Sequence, residues 1–315
     1  MADYFAEIIN QLSIKQFVTT ALHKGNLYNL LLVGPKGVGK RCFAFALARA
    51  LRCPYNSQNF TLVAPIPSKL KEKGKKLEEY LTQYLPTNPL VELEERSSIH
   101  IEQIRRVIEK LLYMPEKGTK RVVLILEADR MTDAAANSFL KTLEEPPIDT
   151  IFILTSSRVN FLLPTIRSRC QILPFGYLRP DDIEKIIYDG CDEYLLGSPG
   201  EILRLREGEL VESVIEIFRA APLMPRKSAS IARNFERKNI LDLFYPLILL
   251  YRITLYKKLK LVNDVPFSTD IVKKAQRLSV KRIVNTLIML NQAINILEQN
   301  PNRLLLLFNC LMELA

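Results

Sequence analysis

The sequence predicts an α/β protein: a three-layer domain on a parallel sheet, then a small helical unit and a larger helical one. Three observations predict it. Short apolar runs, continuous rather than alternating, recur up to about residue 173, as do strands covered on both faces. Longer helical patterns separate these runs, which is the signature of a layered α/β domain. Beyond Pro174 nothing reads as a strand, and from about Gly208 the apolar periodicity is purely helical.

The predicted strands are Leu30–Val33, Thr61–Ala64, Val122–Leu126, Thr150–Leu154 and Gln171–Leu173. Arg41–Arg52, rich in Ala, Leu and Phe, reads as a helix after the first strand. Ile101–Tyr113 is a second helix, with Ile101, Ile104, Ile108 and Leu111 on one stripe. Thr132–Glu144 opens on a cap, Thr132 or Asp133, and stops before Pro146-Pro147. Ser68–Tyr84 is charge-dense and interrupts the pattern, as a solvated helix and loop inserted at the surface does. Its Lys69, Lys71, Lys73, Lys75 and Lys76 lack the interleaved aromatics of a single-stranded nucleic-acid site. Arg179–Tyr188 and Pro199–Arg206 form the small helical unit. Lys281–Leu314, broken at Asn300-Pro301-Asn302, is apolar on more than one face, as in a bundle or an oligomer interface. The expected domains are therefore residues 1–174, 175–210 and 211–315.

Lys and Arg number 44 against 34 Asp and Glu, a net charge of +10, which suits a nucleic-acid partner and solubility equally. The five cysteines, Cys42, Cys53, Cys170, Cys191 and Cys310, contain no C-x-x-C pair, which argues against a disulfide framework and against structural zinc. With His23 and His100 the only histidines, a histidine-based metal or triad site is not expected. The start, MADYFAEIINQL, lacks the pattern of a signal peptide, and the apolar run Arg303–Phe308 is too short to span a bilayer. The expectation is a soluble, reduced, cytoplasmic protein without a membrane partner.

The chemistry concentrates in Gly34-Pro35-Lys36-Gly37-Val38-Gly39-Lys40-Arg41, one residue short of the phosphate-loop pattern G-x-x-x-x-G-K-[ST]. Glycines there let backbone N–H groups converge on phosphate oxygens at a helix N-terminus, and Lys40 would reach the β and γ phosphates. The preceding strand and the following helix supply the context that the motif requires. The last position normally gives Mg²⁺ a hydroxyl ligand; Arg41 is a cation without a lone pair to offer. The second metal-holding group is an aspartate at the end of an apolar strand, followed by a glutamate. Here the strand runs into Leu126-Glu127-Ala128-Asp129, so with Glu127 as the glutamate the aspartate is Leu126. A shifted register makes Glu127 the metal ligand instead, but nothing restores position 41.

Two further blocks, MTDAAANSFLKTLEEPP (Met131–Pro147) and FILTSSRVNFLLPTIRSRCQILPF (Phe152–Phe175), closely resemble the clamp-loader branch of AAA+ ATPases. Within that branch the chain resembles the delta-prime subunits of bacterial DNA polymerase III, over nearly its whole length. The resemblance implies an AAA+ α/β domain, a helical lid and a helical collar, in a ring that opens a sliding clamp and places it on primed DNA. It implies as partners the clamp-loader ATPase subunits and the delta subunit, the sliding clamp indirectly, and primer–template DNA in the assembled complex. It makes Arg169 an arginine finger acting in trans on a neighbour's nucleotide, with Ser168 and Cys170 holding the turn. The lid motif of the family's ATPase subunits is Gly-Ser-x-Arg; here Gly197-Ser198-Pro199-Gly200 puts Gly200 where the sensing arginine would be. Ser156 and Ser157 occupy the polar sensor region after the fourth strand. Of the family's four-cysteine zinc module only Cys53 remains, so no metal is expected. The implied function is a non-hydrolysing clamp-loader subunit; the alternative is an active ATPase motor of the same ring. No cofactor is required, and the degenerate loop Gly34, Gly37, Gly39, Lys40 and Arg41, with Glu127, retains the means to hold ATP or ADP weakly, without hydrolysis.

Overall fold

The computed structural model describes residues 4–27, 29–67, 70, 75–88, 91, 97–113, 115, 119–187, 197–207, 211–236, 240–261, 268–297 and 301–314. Of the residues named above, Ser68, Lys69, Lys71, Lys73, Tyr188, Cys191, Gly208 and Asn300 lie outside them. The chain divides into two compact units, Met1–Leu178 with Ser198–Gly200, and Arg179–Gly197 with Glu201–Ala315.

The first unit runs α1 (Leu12–Lys24), β1 (Leu30–Val33), α2 (Lys40–Ala50), β2 (Phe60–Val63), β3 (Ile66–Pro67), α3 (Lys75–Leu81), β4 (Ser97–Ser98), α4 (Ile101–Leu111), β5 (Arg121–Ile125), α5 (Asp133–Glu144), β6 (Thr150–Ser156), α6 (Pro164–Arg167) and β7 (Gln171–Pro174). Five strands form one parallel sheet in the order β2-β5-β6-β1-β7. All five predicted strands are present, within two residues at each end. The sequence reading does not give helix α1, the short α6, or β3 and β4, a two-residue antiparallel pair too short to leave a pattern.

Alternation along buried strands gives the sheet two apolar faces. Leu31, Val123, Ile125, Phe152 and Leu154 share a core with Ile104 and Val107 of α4 and Ala136, Phe139 and Leu143 of α5. Leu30, Leu32, Val122 and Leu124, pointing the other way, are equally buried. Helix α5 starts where a cap was expected: the Thr132 hydroxyl accepts from the Ala135 amide at 3.3 Å. The charged insertion contributes α3, which Lys75 and Lys76 open, and a turn that Tyr84 fastens by donating from its buried hydroxyl to the Pro65 carbonyl at 2.8 Å.

The second unit holds α7 (Pro180–Glu184), most of α8 (Pro199–Glu207), α9 (Val211–Ala220), α10 (Pro225–Phe235), α11 (Leu241–Lys258), α12 (Ser268–Arg277), α13 (Val280–Leu297) and α14 (Arg303–Glu313). Helix α11 is its axis, packing on α9, α12 and α13, while α14 packs on α10 and α13. Leu243, Phe244, Leu247 and Tyr251 of α11 are fully buried, which explains a helix apolar on several faces. Ile288, Ile296 and Leu305 nevertheless remain exposed on α13 and α14. Among the described residues no helix is long and apolar enough to cross a membrane.

Lys274 of α12 is buried inside this bundle. Its ammonium donates to the Ala221 carbonyl at 2.7 Å and lies 5.0 Å over the Phe218 ring. Burial, and then the like charges of Arg282 and Arg277, pull its pKa from 10.5 down to about 8. Between those values the folded unit binds fewer protons than the unfolded chain, so stability gains as pH rises from about 8 towards 10.5 and the burden is full below 8. Melting curves of wild type and Lys274→Met at stepped pH should therefore show the difference in Tm moving in favour of wild type across that window. A pH-independent difference would show that Lys274 is not the titrating group.

Candidate functional site

Strand β1 ends at Val33, and the chain turns through Gly34–Gly39 into α2. Gly34 has φ +152°, and a Cβ there would lie 2.2 Å from the Phe175 carbonyl oxygen, so only glycine lets the loop leave the sheet this close to the residue after β7. Gly37 and Gly39 also have positive φ, and Gly39 is the residue before the first turn of α2. The predicted phosphate loop is thus a strand–loop–helix turn that runs from β1 into α2.

Lys40 is buried and turned back on this loop. Its Nζ donates to the carbonyls of Gly34 and Pro35, each at 2.6 Å, and to the Ser157 hydroxyl at 3.1 Å. An ammonium has three protons to donate, and all three are engaged inside the protein. Ser157 passes the contact on, donating to a Glu127 carboxylate oxygen at 3.4 Å. Lys40, Ser157 and Glu127 therefore form one polar chain, and the serine that sequence reasoning left without a task is its middle link. Glu127 sits in the left-handed region (φ 48°), and its amide donates to Thr155 Oγ1 at 3.0 Å.

The positions that would hold a metal are otherwise employed. Leu126 is buried, with its amide bonded to the Val63 carbonyl at 2.9 Å. Asp129, also buried, receives Arg158 at 2.9 Å and the Ser157 amide at 3.3 Å. Arg41 points to the turn that follows the inserted segment, where its guanidinium donates to the Asn88 carbonyl. Burial lowers its proton affinity, yet a guanidinium stays charged and repels a second cation. Among the described residues no cluster of His, Cys, Asp and Glu has the makings of a metal site.

The Gly-Ser-x-Gly segment closes over the loop. Ser198 donates to the Lys36 carbonyl at 2.7 Å, and the Gly200 amide donates to the Gly37 carbonyl at 3.1 Å. A Cβ at position 200 would stand 2.7 Å from the Gly37 Cα. The absent lid arginine is thus accompanied by a backbone-to-backbone contact that no sequence signal announced.

Arg169 is at the other end of the sheet. The turn Ser168–Cys170 precedes β7, and β7 runs parallel to β1, with Gln171 opposite Leu30 and Pro174 opposite Val33. The finger candidate lies beside the start of β1 and the loop at its finish, so four residues at ~3.3 Å each, about 13 Å, separate the two ends. Arg169 Nη1 donates to the Thr165 carbonyl at 2.9 Å, and Nη2 meets a Glu144 oxygen at 3.2 Å. Ser168 is exposed and donates to the Thr165 carbonyl at 3.1 Å. Cys170 packs against the core, and burial pushes its thiol up to about 12, so it remains a neutral thiol. The predicted residues fall into two groups at opposite ends of the parallel strands: Gly34, Gly37, Gly39, Lys40, Arg41 and Glu127 at one, Ser168, Arg169 and Cys170 at the other.

Residues 10–179 match the protein family described as DNA polymerase III, delta subunit. Among individual relatives, the delta' subunit of DNA polymerase III from Escherichia coli is 30% identical over 193 residues, covering 57% of this chain and 54% of that protein. The Yersinia pestis delta' subunit is 36% identical over 141 residues, 45% of this chain and 39% of the relative. The gamma/tau subunit of Mycobacterium tuberculosis is 29% identical over 235 residues, 72% and 36% respectively. The chain spans between about a third and a half of the length of these curated relatives. A solved gamma subunit-related protein of Thermotoga maritima aligns over 93% of this chain and 97% of its own, with TM-score 0.48 and 20% identity.

The loop's closure gives a direct test. Gly200→Ala should force the loop and the Ser198–Gly200 segment apart, costing about 1–3 kcal/mol as over-packing does, read as a melting temperature lower by several degrees. An unchanged Tm would show that the contact gives way freely.

Proposed function

Because the chain belongs to the DNA polymerase III delta-subunit family, we propose that it is a non-hydrolysing clamp-loader subunit that supplies Arg169 in trans to a neighbouring ATPase subunit. One observation carries this reading: Arg169 and the phosphate loop stand at opposite ends of the neighbouring strands β1 and β7, so the finger has no route to a nucleotide at its own loop. A planar guanidinium offers a fork of donors suited to charge on a transferring phosphoryl group. That chemistry needs a phosphate brought by another molecule.

The home site supports the other half of the reading. The residues present do not fit Mg²⁺: Arg41 is a cation committed to Asn88, and Leu126 is buried in the core. They fit a phosphate poorly, since Lys40 would have to give up its bonds to Gly34, Pro35 and Ser157 to reach one. ATP or ADP would bind weakly if at all, held by the loop amides and Lys40 and without hydrolysis. On the motor alternative, Glu127 would act as base; its carboxylate instead receives Ser157.

The partners proposed are the clamp-loader ATPase subunits and the delta subunit, with contact to the sliding clamp through them and to primer–template DNA in the assembled complex. Residues 175–210 would serve as the lid and 211–315 as the collar, where the exposed Ile288, Ile296 and Leu305 would meet neighbouring subunits. The cytoplasm is the compartment proposed.

The pure protein should release no phosphate from ATP, with or without Mg²⁺, in a colorimetric phosphate assay. Turnover abolished by Lys40→Ala would overturn the reading. Arg169→Ala should leave the subunit folded and assembled but lower clamp- and DNA-stimulated hydrolysis by the reconstituted complex. The loss at the one affected site should be on the order of 10³-fold or more, so total hydrolysis falls partially and clamp loading falls further. Arg167→Ala should matter less. Wild-type hydrolysis and loading by the Arg169→Ala complex would remove the finger assignment.

A further inference from the structure

Arg169 is braced by residues outside its own turn. Helix α5 ends at Glu144, whose carboxylate meets Arg169 Nη2 at 3.2 Å. The Thr165 carbonyl takes Nη1 at 2.9 Å, so both terminal nitrogens of the guanidinium are tethered, from two directions. The Glu144 side chain is 60% exposed and contributes little packing. Its nearness to Arg169 is nonetheless built in. Asn29 is buried just before β1, and its amide nitrogen donates to the Leu143 carbonyl at 2.8 Å and to the Arg169 carbonyl at 3.4 Å. The Asn29 carbonyl in turn accepts from the Gln171 amide at 2.7 Å. One buried side chain thereby fixes the end of α5 relative to the Ser168–Cys170 turn, and with it the separation of Glu144 from Arg169.

We propose that Glu144 is a positioning residue for Arg169, holding the guanidinium pre-oriented so that the second proton of Nη2 faces an incoming phosphate. The proposal rests on the trans-finger reading above and deepens it. An exposed ion pair adds little to fold stability, so the consequence of this one is geometric. A group that stabilises developing charge is effective when it is already in place. With Glu144 removed, Nη1 alone is tethered and the long side chain samples other rotamers. Nη2 carries two protons, so Glu144 can keep one while the other meets a phosphate oxygen.

The test uses the reconstituted clamp-loader complex with clamp and primed DNA. Glu144→Ala should lower kcat for ATP at the site it serves on the order of two- to fivefold, the factor an exposed ion pair can lend, with KM unchanged. Glu144→Gln, which keeps an acceptor oxygen, should recover most of the rate. Adding Glu144→Ala to Arg169→Ala should change nothing further, and the Tm of the single variant should equal that of wild type. Wild-type kcat in Glu144→Ala, a loss of equal size in the Arg169→Ala background, or a lowered Tm would each overturn the positioning role while leaving the finger in place. Full activity of Arg169→Ala would instead overturn the finger reading, and this proposal with it.

Discussion

Strand β1 is paired along its whole length on both sides, to β6 and to β7, in register from Leu30 to Val33. Its backbone donors and acceptors are committed to those ladders, and Leu30, Leu31 and Leu32 are buried. A strand in that situation has no group left to act with except at its ends. The chain accordingly puts its polar machinery there: Asn29 before the first residue, the glycine loop after the last. The sheet then acts as a spacer of fixed length between them, and the division of the site residues into two groups follows from it.

Around the loop, the economy of buried charge decides what the site can do. Asp129 is neutralised by Arg158, whose guanidinium also lies 4.9 Å over the Phe161 ring. Lys40 finds three acceptors, and Glu127 receives Ser157. Buried polar groups need partners, and here each has one within the chain. In a motor those same groups would meet phosphate and metal. Their mutual satisfaction keeps the loop ordered without a ligand.

How much of this was legible depended on the reach of each interaction. Continuous apolar runs announced the five sheet strands because burial on both faces is a local demand on composition. The Thr132 cap and the stop before Pro146 announced α5 because capping acts within a few residues. The glycine loop was legible for the same reason. Arg41 could be recognised as a lost ligand, but its engagement with Asn88, 47 residues away, could not be read. Nor could Asn29, which binds carbonyls 114 and 140 residues distant. An asparagine before a strand looks like an ordinary loop residue until tertiary folding delivers its partners. The pair β3 and β4 escaped for another reason: two residues cannot display a period.

The contact between Gly200 and Gly37 bears on history as well as on packing. On the function proposed here, an ancestor with a lid arginine would have held the two backbones farther apart. Once both positions are glycine and their chains have closed to hydrogen-bonding distance, with the Gly200 amide 3.1 Å from the Gly37 carbonyl, reversion is no longer a single step. An arginine returned to position 200 meets main chain rather than open space, and main chain cannot swing aside as a side chain does. The loop would have to open first, which means releasing Ser198 from Lys36 as well.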